Sequence, residues 1–167
     1  MKRLTLVRHA KSSWKDPSLD DFDRPLNQRG ERDAPVMGRR LKARGARPSL
    51  ILTSPAKRAK RTARLIAEAI GYPVEFLQRE ADLYLADPVT ILAVVAREAE
   101  SFNDVFVCGH NPGMTDLANQ LSGVRIDNVP TCGIVALEAD IENWADLDQA
   151  DCKLDFFDYP KRSTDSE

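Results

Sequence analysis

The sequence predicts an α/β fold, a mainly parallel central sheet with helices on both faces. Three observations predict it. Short apolar runs rich in β-branched residues alternate with longer stretches of helical character, as in a sheet whose strands are buried on both sides. A capping residue followed by proline marks three helix starts, at Ser54-Pro55, Asp87-Pro88 and Asn111-Pro112. Both histidines of the chain, His9 and His110, stand just past a predicted strand, where an open α/β sheet places its ligands.

The first strand is the run LTLV at residues 4–7, four strand-forming residues that lead into Arg8-His9. A polar loop follows, KSSWKDPSLDDFDRP at residues 11–25, and loops of this length inside a compact domain are often functional. NQRGERDAPVMGRRLKARG reads as a helix that Pro35 breaks or kinks, unless Pro35 opens its main part, and Gly45 stops it. SLILT is the second strand. It ends at Ser54, the N-cap of a helix with Pro55 at its first position that runs to Ile70 and stops at Gly71. VEFL at residues 74–77 is the third strand, Asp87-Pro88 opens a helix over VTILAVVAREAE, and DVFVCG is the fourth strand. Asn111 caps the next helix, with Pro112 at its first position. CGIVALE and CKLDFF close the strand list with no clear helix between them, so they are expected to form an antiparallel edge pair. No repeat, low-complexity tract or linker divides the chain, so residues 1–159 are expected to form one domain and 160–167 a mobile tail.

Composition narrows the function. The chain has 167 residues, 43% hydrophobic and 30% charged, a globular balance with enough length for a sizeable core. Lys and Arg number 24 against 26 Asp and Glu, a formal charge of −2, so no global field draws the protein to nucleic acid or an anionic membrane. Cys108, Cys132 and Cys152 are odd in number and lack C-x-x-C spacing, which argues against a disulfide framework and against zinc. Lys2-Arg3 precedes an apolar run of four residues, whereas a secretory core needs roughly 7–15 and a membrane span about 20. A cytoplasmic protein without a membrane segment is the expectation.

Chemistry gathers at three strand ends. The helix PAKRAKRTARLIAEAI carries Lys57, Arg58, Lys60, Arg61 and Arg64. At about 100° per residue, all but Arg58 share one arc, a solvated face. Arg58 falls toward the arc of Ala59, Thr62 and Ile66, on the protein side. Two arginines (Arg8, Arg58), two histidines and two helix N-termini facing one region suit an anion, most economically a phosphoryl group. Nearby cations disfavour an imidazolium, so His9 should be neutral with a free lone pair. Its attack on phosphorus would give a phosphohistidine, with the arginines stabilising charge on the equatorial oxygens. Nothing in the sequence supplies a metal cage, so no metal or cofactor is expected.

LVRHA, SPAKRA and CGHNPGM, in that order, resemble the histidine phosphatase superfamily, the phosphoglycerate-mutase-like branch 1. DRPLNQRG, the DLYLADP run and the short length are most similar to its SixA-type members, the protein-phosphohistidine phosphatases. The resemblance runs from residue 4 to about residue 137 and implies a phosphoglycerate-mutase-like three-layer α/β/α sandwich. It also implies His9 as the phosphorylated nucleophile, with Arg8, Arg58 and His110 completing the phosphate pocket. Where the superfamily motif usually reads Arg-His-Gly, this chain has Ala10, whose Cβ restricts the turn. The family's general acid is a Glu or Asp after the third strand. Asp82 is the nearest match and Glu80 the alternative.

The implied substrate is a phosphohistidine on a partner protein, such as a signalling or phosphotransfer domain, since a short chain leaves little room for a lid over the pocket. A small-molecule phosphomonoesterase on the same scaffold and a non-catalytic phosphate-binding module are the rivals. Nucleic-acid binding through KRAKRTAR is disfavoured by the acidic balance and the absence of interleaved aromatics. Arg24 is expected to pair with a nearby Asp, and Trp14 and Phe22 to plug the underside of the loop.

Overall fold

The strands are β1 (Lys2–Arg8), β2 (Leu50–Thr53), β3 (Gln78–Arg79), β4 (Asp104–Gly109), β5 (Ile134–Ala139) and β6 (Lys153–Asp158). In the computed structural model, which describes residues 1–162, they join one sheet in the order β3-β2-β4-β1-β5-β6. β1, β2, β3 and β4 pair in parallel, while β5 runs antiparallel to both β1 and β6. The C-terminal edge pair is therefore antiparallel, as expected from its missing crossover helix.

The sequence dictates two cores because side chains alternate across a strand. Leu4, Leu6, Leu50, Leu52, Val105, Val107, Val135 and Leu137 point to one face, where α3 (Pro88–Glu98) and α4 (Gly113–Ser122) cover them. Val7, Ile51, Phe106, Cys108 and Ile134 point to the other, under α1 (Gln28–Ala43) and α2 (Lys57–Ile70). The result is a three-layer α/β/α sandwich with β1, β2 and β4 buried on both faces.

Several local expectations change in the structure. α1 runs unbroken through Pro35. The proline forfeits one backbone hydrogen bond, but Ala34, Met37, Gly38 and Leu41 around it are buried against the α2 layer, and that packing holds the helix together. VEFL is not a strand: Val74–Phe76 makes a 3-10 turn, and the edge strand is the two-residue β3 that follows. Ser54 does not cap α2, which starts at Lys57 after Ala56. Asn111 stands one residue further from its helix than expected, since α4 begins at Gly113, yet its Oδ1 accepts from the Thr115 N–H at 3.2 Å. By contrast Asp87 caps α3 as read, accepting from Thr90 N–H at 2.9 Å, and α2 ends at Gly71 with φ of 81°. The expected mobile tail lies largely outside the described residues. Its first residue, Pro160, has its carbonyl bonded by Arg40.

The sheet sets the site by register. Arg8 lies opposite Gly109, and Thr53 opposite Cys108, so His9, His110 and Ser54 emerge side by side from three adjacent strands. The loop after His9 then passes close under α1, where a Cβ on Gly30 would collide with the Lys11 carbonyl. Gly30→Ala should lower stability by about 1–3 kcal/mol, read as a lower urea midpoint with an unchanged denaturant slope.

Candidate functional site

His9 is held on both sides by backbone: its N–H donates to the Gly109 carbonyl at 3.0 Å, and its carbonyl accepts from Cys132 N–H at 3.0 Å. Cys132 makes that bond from the left-handed region, at φ of 60°, a local strain of the kind that clusters at functional sites. Next in the chain, Ala10 is fully buried, and its N–H donates to Thr62 Oγ1 at 2.9 Å. The methyl group that replaces the usual glycine hydrogen thus packs in the core, under α2.

The tautomer of His9 follows from its partner. Nδ1 lies 2.7 Å from the Ala10 carbonyl, an oxygen that can only accept, so Nδ1 carries the proton and Nε2 keeps its lone pair. Arg58 Nε donates toward that lone pair at 3.4 Å. His110 has the opposite polarity. Its Nδ1 faces Arg58 NH2 at 3.4 Å, a donor, which leaves the proton on Nε2 to donate to Ser54 Oγ at 2.8 Å. The two imidazole rings stand 5.2 Å apart, both offering lone pairs toward one buried guanidinium.

Arg58 is 3% exposed, on the protein side of α2 where the helical arc puts it, while Lys57, Arg61 and Arg64 are exposed. Its NH1 donates to the Asp21 carbonyl at 2.5 Å and its NH2 to Asp21 Oδ2 at 2.9 Å. Arg8 donates through NH1 to the Val129 carbonyl at 3.0 Å. The Nε of Arg8 is buried and has no partner among the described residues.

Burial sets the protonation states. It holds His9 down to about 3, with His110, Arg58 and Arg8 adding like-charge repulsion against the Ala10 hydrogen bond. It holds His110 down to about 4, with Arg58 adding to it and Asp21 opposing.

The structure therefore brings four of the sequence-derived residues together: Arg8, His9, Arg58 and His110. It does not bring the two acids to them. Asp82 has 61% of its side chain exposed and bonds Arg97 NH1 at 3.4 Å, and Glu80 accepts from Arg97 NH2 at 3.1 Å and from Gln78 Nε2 at 2.7 Å. The carboxylate that does reach the cluster is Asp21, in the 11–25 loop. Besides Arg58 it accepts from Arg24 NH1 at 3.0 Å and from the Tyr84 hydroxyl at 2.5 Å. Arg24 pairs with an Asp as expected, and also bonds the Ser13 carbonyl and Ser12 Oγ. Trp14 and Phe22 do not plug the loop. Trp14 is 74% exposed with Arg24 lying 3.3 Å over its ring, and Phe22 is 38% exposed with its ring edge-on to Tyr84. Cation–π attraction to Arg24 replaces burial for Trp14.

Sequence reasoning missed Asp21, Tyr84, Ser54 and Thr62 as parts of the site. Asp21 is one of four aspartates between residues 16 and 23, and nothing in their order singles it out. The Ser54 hydroxyl accepts locally from the Ala56 N–H at 3.2 Å, as its resemblance to an N-cap suggested, but it also meets His110, which local pattern does not show.

The family model for the histidine phosphatase superfamily (branch 1) matches residues 4–86. An uncharacterized chloroplastic protein of Arabidopsis thaliana is 34% identical over 151 residues, covering 86% of this chain and 69% of that one. An uncharacterized protein of Mycobacterium tuberculosis is 33% identical over 165 residues, covering 93% of this chain and 100% of the relative. Among solved structures, SixA of Agrobacterium tumefaciens, assigned as a phosphohistidine phosphatase, is 28% identical with a TM-score of 0.81, covering 95% of this chain and 98% of that chain.

Neither histidine should titrate between pH 5 and 8. Nitrogen-15 shifts of the imidazoles should show His9 protonated on Nδ1 and His110 on Nε2 throughout that range. Both folded values lie below the ordinary histidine value, so the unfolded chain takes up protons that the folded site refuses. The pair's contribution to stability should therefore fall as pH drops below about 6.5, by about 1.4 kcal/mol per unit for each ring. Urea unfolding of wild type against His9→Gln would isolate that slope.

Proposed function

The chain belongs to the histidine phosphatase superfamily, branch 1, and from that membership we propose a metal-independent cytoplasmic phosphatase that dephosphorylates phosphohistidine on a partner protein. One observation carries the reading. His9 is a buried neutral imidazole whose Nδ1 is locked to a carbonyl, so its bare Nε2 sits beside the donors of Arg58 and faces His110. A nucleophile needs that lone pair, and a transferring phosphoryl group needs donors placed around it beforehand.

In the first step Nε2 bonds to phosphorus as the bond to the leaving group breaks. The proton stays on Nδ1, hydrogen-bonded to the Ala10 carbonyl, so the phosphorylated ring is an imidazolium stabilised by a backbone oxygen. In the second step water attacks phosphorus and the bonding pair returns to Nε2. Arg8 and Arg58 carry the charge of the equatorial oxygens in both steps, the part that metal ions play in other phosphoryl transfers. Arg8 Nε, buried without a partner among the described residues, is suited to a phosphoryl oxygen. The likeness to SixA supports phosphohistidine as the substrate class, and three buried free cysteines suit a reducing compartment.

Asp82, placed on Arg97, is in this reading dispensable: Asp82→Asn should leave turnover of a phosphohistidine protein within about twofold of wild type, inside the range of ordinary surface substitutions.

Phosphate release from a phosphohistidine-bearing protein should persist in EDTA and vanish in His9→Ala. Arg58→Ala should lower kcat by about 10²–10³-fold. Quenched wild type should carry an acid-labile, base-stable phosphate on His9. Turnover that survives His9→Ala, or that EDTA abolishes, would contradict the mechanism.

A further inference from the structure

We propose that Asp21 is a specificity-determining residue whose carboxylate is the counter-ion for the protonated imidazole ring of an incoming phosphohistidine. The inference rests on His9 acting as the nucleophile, and it extends that reading to the leaving group.

Asp21 is the carboxylate in contact with Arg58, and its bonds can be counted. Oδ1 accepts from Arg24 NH1, and Oδ2 accepts from Arg58 NH2 and from the Tyr84 hydroxyl. A carboxylate has about four acceptor sites, so one remains, on a side chain that is 45% exposed. The Arg58 edge that Asp21 occupies is the NH1/NH2 end. Nε and the other side of NH2 point toward the two histidines. Asp21 therefore meets Arg58 from a different side than the imidazoles do. Burial would push this carboxyl up, but the hydrogen bonds from Tyr84 and Arg58 and the charge of Arg58 outweigh it and hold the group at about 2, ionised at any working pH. Its surroundings are also aromatic. Tyr84 packs edge-on to His110 at 5.4 Å, and Phe22 edge-on to Tyr84 at 5.1 Å. A planar cationic ring suits such surroundings, with its N–H on the carboxylate and its faces against aromatic carbon.

The chemistry explains what a fixed negative charge would accomplish there. When His9 Nε2 attacks, the P–N bond of the substrate breaks and its electron pair returns to the substrate's ring nitrogen. If that ring already holds a proton on its other nitrogen, it leaves as neutral imidazole, and no proton has to reach the leaving atom. A carboxylate accepting from that N–H keeps the ring protonated. A phosphoester differs: its oxygen leaves as an alkoxide unless an acid protonates it. Asp21 is ionised, and Glu80 and Asp82 are bonded to Arg97. The same negative charge repels small phosphoesters that carry a second anionic group.

The test compares kcat/KM on a phosphohistidine peptide and on p-nitrophenyl phosphate for wild type, Asp21→Asn and Asp21→Glu. Asparagine keeps one acceptor oxygen for Arg58 and Tyr84, removes the charge, and gives up the oxygen that accepts from Arg24 NH1. Asp21→Asn should lower kcat/KM on the phosphohistidine peptide about tenfold or more beyond any loss on the ester, a discrimination typical of one well-placed polar contact. Asp21→Glu should recover part of the preference. Parallel losses on both substrates would make Asp21 a support for Arg58 and overturn the inference. So would no loss, or a gain on both, which would mark it as a plug. Wild type without His9-dependent turnover would overturn the proposed function and this inference with it. Thermal unfolding of each variant separates a folding defect from either result.

Discussion

Arg58 is a permanent cation almost entirely withdrawn from water, and much of the site follows from the need to compensate it. An unpaired buried charge costs several kcal/mol, and the guanidinium cannot lose its proton to escape that cost. The protein answers with one carboxylate, one backbone carbonyl and two imidazole lone pairs. Three of those four partners are neutral. Burial keeps both histidines neutral, and the cation whose donors they accept adds to that effect.

That compensation also fixes the 11–25 loop. A polar loop of this composition has little to bury, yet Asp21 ties it to α2 through Arg58 and to the segment before α3 through Tyr84. Arg24 then ties the loop to itself, bonding Asp21, Ser12 and Ser13 and stacking on Trp14. The side chains of Trp14 and Phe22 are left at the surface. Loop order and site electrostatics are thus one problem with one solution, and a change at Asp21 touches both.

The sheet contributes position. β1 lies between β4 and β5 and is buried on both faces, so the residues after it cannot drift. Two backbone hydrogen bonds hold the His9 peptide groups, and Thr62 holds the next one. Rigid elements aim side chains more closely than loops do, and His9 and His110 sit within one residue of a strand end while Arg58 is in the first turn of a helix. The acids of the 80–82 segment follow a two-residue edge strand, and they turn to the nearest cation, Arg97, instead.

The sequence by itself determined the alternation of strands and helices, the antiparallel C-terminal pair and the cluster of Arg8, His9, Arg58 and His110. Each depends on local pattern: burial periodicity, cap-plus-proline signals, or the helical arc that turns Arg58 inward. Tertiary structure alone decided the rest. It kept α1 whole through Pro35, because packing against α2 outweighs one lost hydrogen bond. It moved the third strand from VEFL to Gln78–Arg79 at an edge where pairing is short. It gave the Ser54 hydroxyl to His110 and chose Asp21 from among four aspartates. Those choices are made by partners distant in the chain. No local pattern encodes which of several equivalent side chains will meet a buried cation.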